Sequence, residues 1–295
     1  MIIYRYLAPK PQEPPKLSLA ANQQLLLMPI GDVHYMTEDW PRQKFINHLK
    51  WGMERGATFL GMGEYMDFSS ASQRSLMLLL RDKVKKQLGE MIREQVETFC
   101  RDIEFTKGHW LGMLEGDHRH SFEDGTTSDQ YLCELLGCPF LGDAAFVRIA
   151  YESLKTRKPY PDTADCLLYA HHGFGSSRLA GGHLHRVEDA YKAIDADVYL
   201  MGHSHSKVNA PVDRQYVTPD GTHYHRTKIL ARTGAWMKGY VSSRPFDVTE
   251  QAVNSRATYV EKSIYMPSAM GGLAIGIGYE PVTKTVYRPT IHVSV

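Results

Sequence analysis

Apolar runs that suit buried strands alternate with helical patterns along the first part of the chain. Residues 24–34, "QLLLMPIGDVH", form an apolar run that ends at a glycine, as a strand feeding a loop does. Residues 41–56 begin with proline, end with glycine and carry apolar side chains at helical spacing. A second apolar run, "ATFLGMGEYMD", follows directly. This strand–helix–strand order predicts a parallel sheet with crossover helices.

The middle of the chain carries the longest helical pattern. Good helix formers fill residues 76–105, where Gly89 is a weak point, and we interpret 73–106 as a helical insertion or cap. The segment "SDQYLCELLG" predicts a helix with Ser128 as its N-cap and Gly137 as its stop. Three further apolar runs, "HWLGMLEGDH", "ADCLLYAHHG" and "ADVYLMGHSH", predict strands.

The ends of the chain differ from this pattern. Residues 1–22 include the proline-rich stretch "APKPQEPPK" and predict an extended N-terminal arm. Residues 206–295 are β-rich, with a helix-like piece near "DVTEQAVNSRATYVEKS", and we expect their strands to complete a second sheet. No composition break marks a linker. The pattern therefore predicts one α/β domain over 1–295, built on a mixed sheet.

Composition narrows the class of protein without defining a partner. The 295 residues are enough for one large domain with a sizeable core. Lys and Arg number 34 against 33 Asp and Glu, so net charge indicates neither nucleic acid nor an acidic membrane as a partner. Four cysteines stand singly, which is typical of reduced thiols in the cytoplasm. No stretch approaches the ~20 apolar residues that span a bilayer. We expect a soluble cytoplasmic protein that has no membrane partner.

The chemistry-bearing residues stand at the ends of the predicted strands. Five apolar runs end in "GDVH", "GMGEYMD", "EGDHRH", "HHG" and "GHSH". In open α/β sheets, side chains beyond the carboxyl ends of the strands converge on the ligand. Each motif alone is more often a polar loop or a surface turn. Together they supply three carboxylates and four histidines, close to the seven or eight donors, roughly, that two bridged divalent ions require.

In their order and spacing these motifs resemble the calcineurin-like metallophosphoesterase superfamily. Its signature is D-x-H, G-D-x-x-D, G-N-H-[DE], a histidine before glycine, and G-H-x-H. The resemblance covers residues 24 to about 206. It implies a four-layer α/β/β/α sandwich of two mixed sheets flanked by helices, with a metal site at the carboxyl ends of the strands.

The resemblance also implies a role for each motif residue. His118 matches the catalytic histidine, which is not a ligand, and Arg119 beside it could clamp a phosphate oxygen. His183 and His185 are expected at a helix start on the surface, or else at the pocket rim. The implied metal ligands are Asp32, His34 and His205 for one ion, Asp117, His172 and His203 for the other, and Glu64 as the bridge.

Two ligand positions depart from the family pattern. Asp117 stands where the family has asparagine, and Glu64 stands where it has the bridging aspartate. The oxygen-rich donor set favours Mn²⁺, with Mg²⁺, Zn²⁺ and iron as alternatives. Asp67 is an alternative bridge, although Glu64 occupies the position directly after glycine. We therefore expect two divalent ions, bridged by Glu64 or by Asp67.

The resemblance implies phosphoester hydrolysis, with a hydroxide between the two metals as the nucleophile. A phenylalanine after "GEYMD", where protein phosphatases carry Arg-Gly, counts against that branch. The G-H-x-H ending favours a phosphodiester over a phosphomonoester, and a nuclease of the DNA-repair type is the leading specific alternative. The partner would be a phosphoester, such as a nucleotide or DNA, and a homo-oligomer is compatible. A non-catalytic scaffold with the same fold is the alternative from another class.

Overall fold

The structure is a computed structural model that describes residues 2–5, 24–35, 37, 40–77, 79–149, 165–175, 177, 182–237, 269–282 and 287–294. Within these residues the protein is an α/β structure with two mixed sheets and few helices. The predicted helix-like piece near residue 250 and the proline-rich stretch lie outside the described residues.

The first sheet contains four parallel strands extended by an antiparallel hairpin. The parallel strands are β2 (Leu25–Ile30), β3 (Thr58–Gly61), β4 (Trp110–Leu114) and β5 (Phe140–Gly142). The hairpin strands β11 (Ala274–Pro281) and β12 (Tyr287–Ser294) pair on the other side of β2, giving the order β12-β11-β2-β3-β4-β5. The apolar runs at 24–34, 57–67 and 109–118 therefore form neighbouring parallel strands, as predicted.

The second sheet has the order β1-β6-β7-β8-β10-β9. Its strands are β1 (Ile2–Arg5), β6 (Ala144–Ile149), β7 (Cys166–His171), β8 (Val198–Met201), β9 (Lys207–Val217) and β10 (His223–Thr233). Strands β7, β8 and β10 are parallel, and the other pairs are antiparallel. Thus part of the predicted N-terminal arm is a strand, and the C-terminal strands divide between both sheets.

Alternate residues of a strand point to opposite faces of its sheet. In this structure the two faces of the first sheet belong to different buried clusters. In β2, Leu25 and Leu27 belong to a buried cluster that contains residues of both sheets, whereas Met28 and Ile30 belong to another. That other cluster includes side chains of the helices α1 (Arg42–Glu54), α3 (Asp82–Ile103) and α4 (Ser128–Leu136). Helix α5 (His185–Ala193) packs on β8 and β10 of the second sheet. No helix of the described residues is long and apolar enough to cross a membrane.

Two details of the helices differ from the sequence predictions. The 76–105 pattern contains two helices, α2 (Ala71–Met77) and α3, and α3 runs through Gly89 without interruption. The N-cap of α4 is Thr127, not Ser128, because Thr127 and Gln130 form a reciprocal capping box. Gly137 ends α4 in the left-handed conformation, as predicted.

Candidate metal centre

The loops that follow five strands carry the predicted ligands. Asp32 and His34 follow β2, Glu64 follows β3, and Asp117 follows β4, all in the first sheet. The remaining ligands belong to the second sheet: His172 directly after β7, then His203 and His205 after β8.

The seven residues form two groups of possible metal donors that share one member. The first donor group is Asp32, His34, Glu64 and His205, and the second donor group is Glu64, Asp117, His172 and His203. Within each group, one donor atom from every residue lies within 4.8 Å of the others. These acidic and histidine residues, four of which are buried, could hold a metal ion.

Glu64 presents one carboxylate oxygen to each group. Its Oε2 lies 3.0 Å from His34 Nε2 and 3.8 Å from His205 Nε2. Its Oε1 lies 3.2 Å from His172 Nε2 and 3.6 Å from His203 Nδ1. The two oxygens therefore point to different sets of imidazoles, as in a carboxylate shared between two sites.

Several buried polar atoms of this cluster lack a hydrogen-bond partner. These atoms are His34 Nδ1, Glu64 Oε1, His172 Nε2 and His203 Nδ1. The other nitrogen of His172, Nδ1, lies 2.7 Å from the Met62 carbonyl oxygen. Because a carbonyl only accepts, Nδ1 carries a proton, and when the ring is neutral its lone pair is on Nε2. Buried polar atoms without partners are rare, and a cation in the second donor group would satisfy Glu64 Oε1, His172 Nε2 and His203 Nδ1 together. The donor set therefore fits a divalent ion.

Backbone strain is concentrated at the same residues. Among the described residues, the non-glycine residues with positive φ are Asp32 (47°), His34 (49°), Glu64 (53°), His203 (66°) and His205 (54°). This left-handed region costs an L-residue roughly 1–2 kcal/mol. Such strain persists where the surrounding structure enforces it, and it is typical of functional sites.

Glycines allow the ligand loops to approach each other closely. A Cβ at Gly116 would lie 2.1 Å from the Glu64 nitrogen, and one at Gly63 would lie 2.5 Å from His172 Nδ1. The Val33 and His34 amides both donate to the Glu64 carbonyl oxygen, at 2.8 and 3.1 Å. The loop after β2 is thus bonded to the loop after β3.

The histidines of the site bind protons tightly. Burial opposes the charge of His34, but the neighbouring carboxylates of Asp67 and Glu64 raise its pKa to about 10. Burial also opposes the charge of His172, but the Glu64 carboxylate raises its pKa to about 9. The neighbouring carboxylates of Asp117 and Glu64 raise the pKa of His203 to about 10. Burial would raise the pKa of Glu64, yet the histidines hold it well below its usual range. In the metal-free protein, protons supply the positive charge that the Glu64 carboxylate requires.

Asp67 and Asp117 occupy different parts of the site. Asp67 Oδ1 is hydrogen-bonded to His118 Nδ1, and its Oδ2 lies 3.9 Å from His34 Nδ1. Asp67 thus groups with His34 and His118, apart from the second donor group. Asp117 Oδ2 lies 3.3 Å from His203 Nδ1, although the Asp117 side chain is 52 % exposed. Asp117 is therefore the most accessible donor of its group.

The loop that carries Asp117 and His118 has supports that the sequence patterns did not identify. Asp129 in α4 accepts a hydrogen bond from the Gly116 amide at 2.8 Å, and burial raises the pKa of this carboxyl to about 7. Arg74 in α2 donates to the Asp117 and Ser69 carbonyl oxygens. Apart from the contact of Arg74 with Ser69, these contacts join residues that are distant in sequence, so no local motif signals them.

The predicted substrate residue Arg119 faces its own loop. Its Nε lies 3.2 Å from Glu115 Oε1, and its Nη1 donates to the Gly116 carbonyl oxygen at 3.0 Å. The role of Arg119 as a phosphate clamp stays a prediction.

Searches of known protein families and of curated proteins find no match for this chain. Its chemistry must be argued from the site.

We predict that replacing His205 by glycine leaves a more stable metal-free protein than replacing it by alanine. Both changes remove the imidazole, but only glycine relaxes the positive φ, so the difference should be about 1 kcal/mol. Urea unfolding in EDTA measures it. The exposed helical residue Glu94 provides the control, where glycine should be less stable than alanine by about 1 kcal/mol. The same order at both positions would contradict strain at His205.

We also predict that metal binding near pH 7.5 releases protons. His34, His172 and His203 have pKa values of about 10, 9 and 10, so each ring is protonated at this pH and must lose a proton to become a ligand. About three protons should leave, and metal affinity should rise with pH up to about 10. Calorimetric titration with Mn²⁺ in buffers of different ionisation enthalpy gives the number. Binding heats that do not depend on the buffer would contradict this prediction.

Proposed function

We propose that the protein is a binuclear-metal phosphoester hydrolase of the calcineurin-like metallophosphoesterase class. In this proposal the two sheets and their helices are the four-layer α/β/β/α sandwich of that class, and the site lies beyond the carboxyl ends of its strands. The observation that carries the proposal is Glu64, whose two oxygens face separate groups of donors. A single ion would not need this division.

The two groups define which residues would hold each ion. Asp32, His34 and His205 would bind one and Asp117, His172 and His203 the other, with Glu64 common to both. The three carboxylates and the oxygen-rich set favour Mn²⁺. Bound divalent ions would lower the pKa of water and offset the negative charge of the phosphoryl group. Three carboxylates against two divalent ions leave the centre positive, so an anionic substrate is attracted.

His118 is suited to serve as the general acid. Asp67 is hydrogen-bonded to Nδ1 of its ring and so orients the imidazole. Nε2 is then the nitrogen that would give a proton to the leaving alkoxide. The His118 side chain is about one-third exposed and its ring lies 5.4 Å from that of His34, at the edge of the first donor group. This position suits contact with a substrate held at the metals.

A phosphodiester is the substrate class we favour. The support is the resemblance of the "GHSH" ending to diesterases and the phenylalanine, Phe68, in place of the protein phosphatase Arg-Gly. A repair-type nuclease would be a special case of this chemistry. The scaffold alternative requires the donor groups to be without metal.

We predict that the chain binds two Mn²⁺ ions and hydrolyses bis-p-nitrophenyl phosphate faster than p-nitrophenyl phosphate. Glu64→Gln should lose at least one ion and most activity, because an amide has only one oxygen to offer. The matched control is Glu123→Gln, which removes the same charge at an exposed position outside both groups. Elemental analysis and turnover assays with Mn²⁺, Mg²⁺, Zn²⁺ and Fe²⁺ test this. A wild-type protein that binds one ion or none would overturn the binuclear proposal.

We predict that His118→Ala lowers turnover by about 10²–10⁴-fold while both ions stay bound. Asp67→Asn should act through the same imidazole, so it should add little in the His118→Ala background. Metal content and kcat of the two single variants and the double variant test this. Loss of an ion in Asp67→Asn would instead indicate that Asp67 is the bridge.

A further inference from the structure

A cavity opens beside the candidate metal centre. Its volume is about 620 Å³, and Ser204, which lies between the ligands His203 and His205, lines it. The opposite wall contains His183 and the beginning of α5. The cavity therefore adjoins the loop that contributes to both donor groups.

A buried arginine lines this cavity. Arg232 in β10 is 2 % exposed, and it donates from Nε to the His183 carbonyl oxygen and from Nη1 to the Gly202 carbonyl oxygen, both at 2.8 Å. It forms no ion pair within the described part of the chain. A buried cation without a counter-charge is costly, and anything that supplies the charge is favoured.

A divalent ion at the candidate metal centre would offset the negative charge of Asp32, which acts on Arg232. Burial lowers the pKa of Arg232 to about 10, and the charge of Asp32 acts in the opposite direction. Asp32 is one of the residues that would hold a divalent ion, and its negative charge would then be offset by that ion. Arg232 would be left with a stronger requirement for another anion.

The other walls of the cavity also suit an anion. Helix α5 begins there without a side-chain cap on its first amides, which leaves N–H groups and the positive end of the helix dipole available. The buried His183 Nδ1 has no hydrogen-bond partner. The lining includes three cationic side chains, Arg186, Lys192 and Arg232, against the carboxylates of Glu188 and Asp189. Asp189 lies 3.2 Å from Arg186 and 4.0 Å from Lys192, so these charges partly offset each other and the lining keeps a surplus of one positive charge.

We infer that this cavity is a subsite for an oxyanion, and that it binds a second phosphate group of the substrate next to the ester that is cleaved. The claim that this phosphate belongs to a substrate rests on the proposed function, but the anion site itself does not. It narrows the substrate class to phosphodiesters that carry a further phosphate, such as a phosphorylated dinucleotide or a nucleic-acid strand. Arg232 and the first turn of α5 would bind that phosphate.

Direct binding of inorganic phosphate tests the site without catalysis. In the full-length chain, with metal and again after EDTA, phosphate should shift the NMR signals of the Arg232 side chain and of the α5 first-turn amides in a saturable way. Arg232→Gln should weaken binding at least tenfold, as expected for a lost charged hydrogen bond. Because Arg232 is buried, the exposed Arg186→Gln variant serves as a second test and should weaken binding several-fold. Arg81→Gln, a matched charge change elsewhere, should have no effect. Absent shifts, or shifts confined to the ligand loops, would overturn the anion site.

Turnover distinguishes a substrate phosphate from a free ion. With Mn²⁺ present, dithymidine monophosphate bearing a terminal phosphate should be cleaved with a kcat/KM about tenfold above that of the same dinucleotide without it. Arg186→Gln should reduce this ratio, and Arg81→Gln should preserve it. Phosphate binding with a ratio near one would overturn the substrate role and leave a site for free phosphate. Phosphate binding without turnover of any ester would overturn the proposed function and leave the anion site intact.

Discussion

The buried carboxylate of Glu64 imposes the constraint that the surrounding residues satisfy. Glu64 is only 3 % exposed, and a carboxylate removed from water must be compensated by opposite charge and hydrogen bonds. Four imidazoles, those of His34, His172, His203 and His205, lie within 4 Å of its oxygens. They come from loops of both sheets, so the compensation exists only when the whole fold is formed.

The fold supports this arrangement with unusual backbone geometry in a rigid frame. The ligand loops hydrogen-bond to each other beyond the strand ends, and the Gly202 amide donates to the His172 carbonyl oxygen at 2.8 Å. Buried clusters between the sheets and under the helices fix the strands from which these loops emerge. The strain at the residues with positive φ is offset by that packing. The strands and helices thus provide the apolar packing, and the loops after the strands carry the donor residues.

The sequence predicted the elements whose signals are local. Strand ends and the stop at Gly137 follow from residues a few positions apart, and the observed strands and the end of α4 agree, whereas the helical pattern of 76–105 is divided between α2 and α3. The N-cap at Thr127 was missed because Ser128 beside it has a similar preference, and only the capping box distinguishes them. The convergence of the motif residues could be expected from the parallel strands. Arg74, Asp129 and Arg232 could not, because most of their contacts join positions 13 to 49 residues apart and leave no local pattern.

Each donor group draws its members from both sheets. In the first donor group, His205 follows a strand of the second sheet and the other three residues follow strands of the first. In the second donor group, Glu64 and Asp117 face His172 and His203 across the same boundary. A cation bound in either group would therefore cross-link the loops of the two sheets. Any sliding of one sheet over the other would change the distances within the groups. A change in the packing between the sheets would therefore alter the affinity for a cation even where it touches none of the seven donor residues.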